Sequence, residues 1–182
     1  MPKYDASSAE VLLFSFKDGL LAKVAHDLKM RVDDFSIDVA DDLSSVKATF
    51  QANRISVLTA MKDGRDDYGT LSDGDKKKIL ANISDDVLNS RRHPTITFES
   101  SSVREQGSTR TVSGNLTLNG QTRSVSATIR EEGANWVTDV TLQQPDFGIK
   151  PYSAMLGALK IKPDVVVRLA VPAATATSGG EA

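Results

Sequence analysis

Residues 93–130 read HPTITFESSSVREQGSTRTVSGNLTLNGQTRSVSATIR, two or three successive antiparallel strands whose pattern decides the class of fold. Asn119-Gly120 lies between two alternating runs. A two-residue type I′ turn needs positive φ at both central positions, and Asn-Gly adopts it at little cost. Pairing outward from that turn sets Leu118 opposite Gln121, Leu116 opposite Arg123, Gly114 opposite Val125 and Val112 opposite Ala127, with Ile129 continuing the same side. Beyond the tip this face is aliphatic. The other face carries Thr111, Ser113, Asn115 and Thr117 against Thr122, Ser124, Ser126 and Thr128, small polar side chains suited to water and to β structure. Upstream, Ile96 and Phe98 alternate with Thr95, Thr97 and Glu99. A two-sided hairpin is marginal alone, so its dry face requires more sheet to curl over it.

The flanking segments supply that sheet. Val11 to Phe16 is a short apolar strand closed by Lys17-Asp18-Gly19, and residues 20–27 suit a turn or two of helix. Leu28, Met30 and Val32 alternate on even positions, whereas Phe35, Ile37 and Val39 alternate on odd ones. That change of parity without a Gly or Pro turn predicts a bulge or sharp bend at Asp33-Asp34, the device by which a sheet curls. Val46, Ala48, Phe50 and Ala52 form the next strand, with Ile55 and Val57 beyond a second change of parity. Residues 61–75, MKDGRDDYGTLSDGD, read as a long solvated loop. A calcium-loop pattern fails there because Arg65 and Gly69 fall where oxygen ligands are needed. From Ser72 to Leu88, Ile79, Leu80, Ile83, Val87 and Leu88 recur at helical spacing, an amphipathic stripe able to cover the mouth of a barrel. Trp136, Thr138, Val140 and Leu142, then Val165, Val167, Leu169 and Val171, give the last strands. Between them residues 144–163 are too apolar for a free loop, with Phe147, Ile149, Tyr152, Met155, Leu156 and Leu159 expected to fold back on the protein. The expectation is a mainly β fold, an extended eight-stranded antiparallel barrel with one inserted amphipathic helix, in one domain over residues 1–172 with a disordered tail at 173–182. A two-sheet sandwich is the competing architecture.

Composition narrows the function. The chain has 182 residues, 40% hydrophobic and 25% charged, with formal charge −2 and no cysteine. A balance this close to neutral speaks against nucleic acid as a partner, since phosphate binding needs a positive face. Without cysteine there is no disulfide, thiolate catalysis or Cys-ligated metal centre. No apolar run approaches the ~20 residues of a spanning helix, and no leader pattern opens the chain, so the sequence-based expectation is a cytoplasmic protein.

Three segments carry a resemblance. They are His93-Pro94-x-Ile96-Thr97-Phe98 with Ser100-Ser101; Val112-Ser113-Gly114-Asn115-Leu116-Thr117-Leu118-Asn119-Gly120 continuing to Arg123; and Asp146-Phe147-Gly148-Ile149-Lys150-Pro151-Tyr152 with Asp164-Val165. In order and spacing they resemble the YceI-like family of polyisoprenoid-binding proteins. The resemblance implies a lipocalin-like antiparallel barrel around an apolar channel that holds a long isoprenoid chain, such as a quinone or polyprenyl phosphate, as the only bound group. A site for branched hydrocarbon must be long and dry, with affinity rising at about 25 cal/mol per Å² of buried apolar surface. Its candidate wall is Phe14, Phe16, Met30, Val32, Phe35, Ile37, Phe50, Ile96, Phe98, Leu116, Leu118, Val125, Ile129, Trp136 and Phe147, each of which would serve equally as plain core. His26, Arg123 and Lys150 are the candidate head-group contacts.

Catalytic residues are not indicated: no Gly-x-Ser-x-Gly elbow is present, and His26 and His93, the only histidines, are too few for a metal centre. Besides the non-catalytic carrier, two readings remain open: an enzyme acting on such a ligand through His26, and a filled-core structural or stress-response module. A homodimer is compatible with the pattern.

Overall fold

The Asn119-Gly120 turn forms as its chemistry requires, with φ of 50° and 71°. It joins two long strands in the expected register: Leu118 faces Gln121, Leu116 faces Arg123, Gly114 faces Val125, Val112 faces Ala127 and Arg110 faces Ile129. The hydroxyl face is exposed and internally bonded, with Ser113 against Ser126 and Thr117 against Thr122, each at 2.8 Å between oxygens. These strands belong to a computed structural model that describes residues 1–19 and 24–173.

In chain order the strands are β1 (Lys3–Asp5), β2 (Glu10–Lys17), β3 (Asp27–Val32), β4 (Phe35–Val39), β5 (Val46–Gln51), β6 (Ile55–Lys62), β7 (Arg65–Asp67), β8 (Thr95–Gln106), β9 (Thr109–Leu118), β10 (Gln121–Glu132), β11 (Asn135–Gln143), β12 (Ser153–Ala154) and β13 (Leu159–Pro172). One helix, α1 (Asp73–Asn82), runs into a π-helical turn at Ile83–Val87. All pairing is antiparallel, in the order β1-β4-β5-β8-β9-β10-β11-β13-β2-β3-β6-β7 with β12 on β13. The path begins at β1 and ends at β7.

The fold is therefore mainly β, a curled antiparallel sheet with one helix, but it has thirteen strands among the described residues and is not the expected eight-stranded barrel. Two physical causes account for the difference. The bend expected at Asp33-Asp34 divides β3 from β4, and a second at Ala52 to Arg54 divides β5 from β6, so long alternating runs become separate strands. The two bends are stitched together, Asp33 N donating to Arg54 O at 2.7 Å and Gln51 N to Asp34 O at 3.0 Å. In addition β1, β7 and β12 are only two or three residues long, too short to show a period.

Residues 61–75 are not one loop. Asp63 and Gly64 take φ of 52° and 74°, a second two-residue turn of the Asn-Gly kind, and so pair β7 with β6. Ser72 then caps α1: its hydroxyl accepts from Asp75 N, while the Asp75 carboxylate accepts from Ser72 N at 3.0 Å. Ile79, Leu80 and Ile83 lie on Leu28, Met30 and Val57, and the π turn brings Val87 and Leu88 onto Leu116, Phe147 and Ile149. A third cluster, with Tyr4, Val11, Val32, Phe35 and Ile37, fills the opposite half of the curl.

Residues 144–163 fold back only in part. A 3-10 turn at Gln144–Phe147 buries Phe147 and Ile149 at 2% and 4% exposure, held by Asn119 Nδ2 donating to Phe147 O at 3.0 Å. Met155 and Leu156 instead project outward, at 67% and 109% exposure, and β13 starts at Leu159 rather than near Val165. Of the helical turn expected over residues 20–27, residues 20–23 lie outside the described residues, while Val24 to His26 are not helical and Asp27 opens β3; nearly all of the tail expected at 173–182 also lies outside the described residues.

Candidate functional site

The inward faces of the curled sheet and the helix enclose a cavity of about 500 Å³, within the range of small-molecule sites. Alternation along each strand decides who lines it. On β9 the wall is Arg110, Val112, Leu116 and Leu118; on β13 it is Val165, Val167, Leu169 and Val171. Among the described residues no buried side-chain nitrogen or oxygen lacks a hydrogen-bond partner. The interior therefore offers a ligand dispersion contacts and few polar handles.

Of the candidate wall residues, Met30, Val32, Ile37, Phe50, Ile96, Phe98, Leu116, Leu118, Val125, Ile129, Trp136 and Phe147 line this space. Phe14, Phe16 and Phe35 do not. The run VLLFSF is apolar on both parities and conceals its inward face, which is Val11, Leu13 and Ser15; Phe14 and Phe16 sit half-buried on the other side of β2. Phe35 is buried at 5% but packs in the bend, its ring centroid 6.1 Å from that of Phe50. Of the candidate head-group contacts only His26 lines the cavity; Arg123 and Lys150 are exposed and off the wall. Arg123 Nη1 donates instead to Thr122 O at 2.9 Å. His93, not a wall residue, places its imidazole where a Cβ on Gly120 would come within 2.8 Å of Cε1.

Sequence reasoning missed the wall supplied by β13 and the charged rim at the end remote from the helix. Glu105, Ser108, Arg110, Arg130 and Glu131 line that rim. Arg110 Nη2 lies 3.1 Å from Glu105 Oε1, and the guanidinium carbon sits 5.1 Å from the centre of the Trp136 ring. Arg130 contacts Glu132 and Asp139 at 2.7 and 2.9 Å, and the bonds it donates to them, that to Asp139 first, raise its pKa above the ordinary arginine value. A signal for the rim was present: the register read from Asn119-Gly120 puts Arg110 on the aliphatic face, opposite Ile129.

The helix end differs. Ile79, Ile83, Val87 and Leu88 close over it together with Phe147 and Ile149, and its polar wall residues include Asn82, His26 and Gln144, whose Nε2 donates to Lys162 O at 3.1 Å. His26 lies close enough to Asp75 for its charge to help lower the pKa of that carboxyl, and among the described residues no cluster of three or more His, Asp or Glu side chains is placed to hold a metal.

A curled antiparallel sheet around one long apolar cavity defines a class of proteins that enclose hydrophobic small molecules. The YceI-like domain profile matches residues 4–173, and the chain belongs to the YceI-like family. The fold resembles that of BcnA from Burkholderia cenocepacia, with a TM-score of 0.64 and 16% identity over 93% of this chain and 98% of that one. A polyisoprenoid-binding domain from Saccharophagus degradans implicated in plant cell wall breakdown aligns with a TM-score of 0.56 and 13% identity, over 90% of this chain and 91% of that one. The Campylobacter jejuni YceI protein aligns at 0.54 and 12%, over 79% and 82%. In sequence, a UPF0312 protein of Pseudomonas aeruginosa is 39% identical over 77 residues, a stretch covering 37% of this chain and 40% of the relative. Among the described residues no helix is long and apolar enough to cross a membrane.

Proposed function

We propose that the protein binds and carries a long isoprenoid lipid, a quinone or a polyprenyl phosphate, without chemically altering it. The observation that supports this reading best is the cavity, walled by aliphatic and aromatic side chains from most strands of the sheet and capped by apolar residues of the helix. Branched hydrocarbon gains affinity there in proportion to the surface it buries, about 0.8 kcal/mol per CH₂. Family membership and the polyisoprenoid-binding neighbour point the same way. The filled-core alternative requires no internal space and is disfavoured by a cavity of about 500 Å³. The enzyme alternative requires an acid or base partner for His26; the nearby Asp75 carboxylate, whose pKa the His26 charge helps to lower, is taken up by the Ser72 amide and hydroxyl of the helix cap.

Native mass spectrometry of the purified protein, repeated after denaturation, tests the reading. A stoichiometric apolar molecule released only on unfolding is the expected result. Protein that carries nothing and takes up no added long-chain isoprenoid would overturn it.

A further inference from the structure

The two ends of the cavity are chemically unequal, and a ligand with one polar terminus must be oriented by that inequality. The helix end is closed by Ile83, Leu88, Phe147 and Ile149, two of them almost fully buried. The remote rim carries the two arginines of the wall. Arg130 is already held by Glu132 and Asp139. Arg110 has a single carboxylate partner, Glu105, whose side chain is 67% exposed against 28% for its own. Such an exposed pair is weak and readily exchanged, while the Trp136 ring beneath the guanidinium keeps it at the rim through cation–π attraction.

We infer that Arg110, seated on Trp136, receives the phosphate or pyrophosphate head of the lipid, so that the ligand enters tail-first with its hydrocarbon end toward α1. This inference rests on the carrier reading and narrows it from quinone to phosphate ester. The guanidinium fork matches two phosphate oxygens at once. On binding, Glu105 is displaced from Arg110 into solvent, and the N–H donor it occupied passes to the phosphate. Below Arg110 the inward face of β9 is Val112, Gly114, Leu116 and Leu118, about 20 Å of strand at ~3.3 Å per residue, which suits a long tail and nothing polar. Glu131, also on the rim, is exposed to solvent.

The test uses the full chain and two probes with one tail, geranylgeranyl monophosphate and geranylgeraniol, by calorimetry. The phosphate is expected to bind about tenfold more tightly than the alcohol. Arg110→Gln should remove that preference while leaving alcohol binding within twofold, and Arg110→Lys should retain part of it. Arg123→Gln and Lys150→Gln, off the wall, should change neither. The melting temperature of each variant checks that it folds, and the lysine variant covers failure of the glutamine one. Equal binding of both probes by the unmodified protein, or loss of the preference in His26→Gln but not in Arg110→Gln, would overturn the head-group assignment and leave the carrier standing. Binding of neither probe would remove both.

Discussion

Gly114 shows how much a single residue can decide. A Cβ added there would collide with Glu99 O and would lie 2.7 Å from both the Phe98 ring and Ser100 Cα, beside the irregularity that shifts pairing between Ser100 and Ser102. Two of those obstacles are backbone and cannot swing aside. Gly114→Ala should therefore cost about 2–3 kcal/mol, read as a fall of roughly 5–10 °C in melting temperature for a chain of this size. Glycine at this position was legible only as part of a resemblance; the register placed it opposite Val125, but nothing in the sequence reveals how closely β8 approaches. The same limit explains Phe14 and Phe16. An apolar run gives no parity, so the inward face of β2 is fixed by its pairing with Met30 and Val167 through Leu13, a tertiary fact. Where alternation is clean, as from Val112 to Leu118, wall and surface were readable directly.

At the scale of elements, α1 was legible because its apolar spacing and Ser72 agree, and its start depends on a reciprocal cap. Ser72→Ala should cost about 1 kcal/mol, measured by thermal unfolding. The Asp75 carboxyl is held below its ordinary value, chiefly by the Ser72 hydroxyl and then by the Ser72 amide. A depressed carboxyl contributes stability above its unfolded value and loses it as the pH falls through the folded one. The difference in melting temperature between the unmodified protein and Asp75→Asn should thus be present at neutral pH and close as the pH drops below 3.8. A difference that persisted unchanged into stronger acid would show that the carboxylate charge is not what the cap uses. The bend at Asp33-Asp34 was legible as a change of parity, whereas the β6–β7 turn at Asp63-Gly64 was hidden inside a run of charges, because a three-residue strand has too few positions to display a period.

For the whole molecule, the proposed carrier function depends on space left unfilled. Ala127 lines the cavity from β10, and Ala127→Trp should occupy part of it. The expected outcome is a clear loss of isoprenoid uptake, with the melting temperature of the empty protein changed by only a few degrees. Ligand at about a hundred times its dissociation constant should stabilise the unmodified protein by about 2.7 kcal/mol, or roughly 5–10 °C, and the variant by much less. A variant that still bound the lipid normally would place the ligand elsewhere. Overall architecture followed from the sequence at the level of curled antiparallel sheet plus helix, because alternation reports which strands have a dry side. Strand number did not, since bends and very short strands leave no such trace. The sheet's two margins are among those short pieces, Lys3-Tyr4-Asp5 and Arg65-Asp66-Asp67. At each of these two pieces an incoming chain would meet only a few open amides set among charged side chains, which hinders strand-by-strand growth into fibrils there.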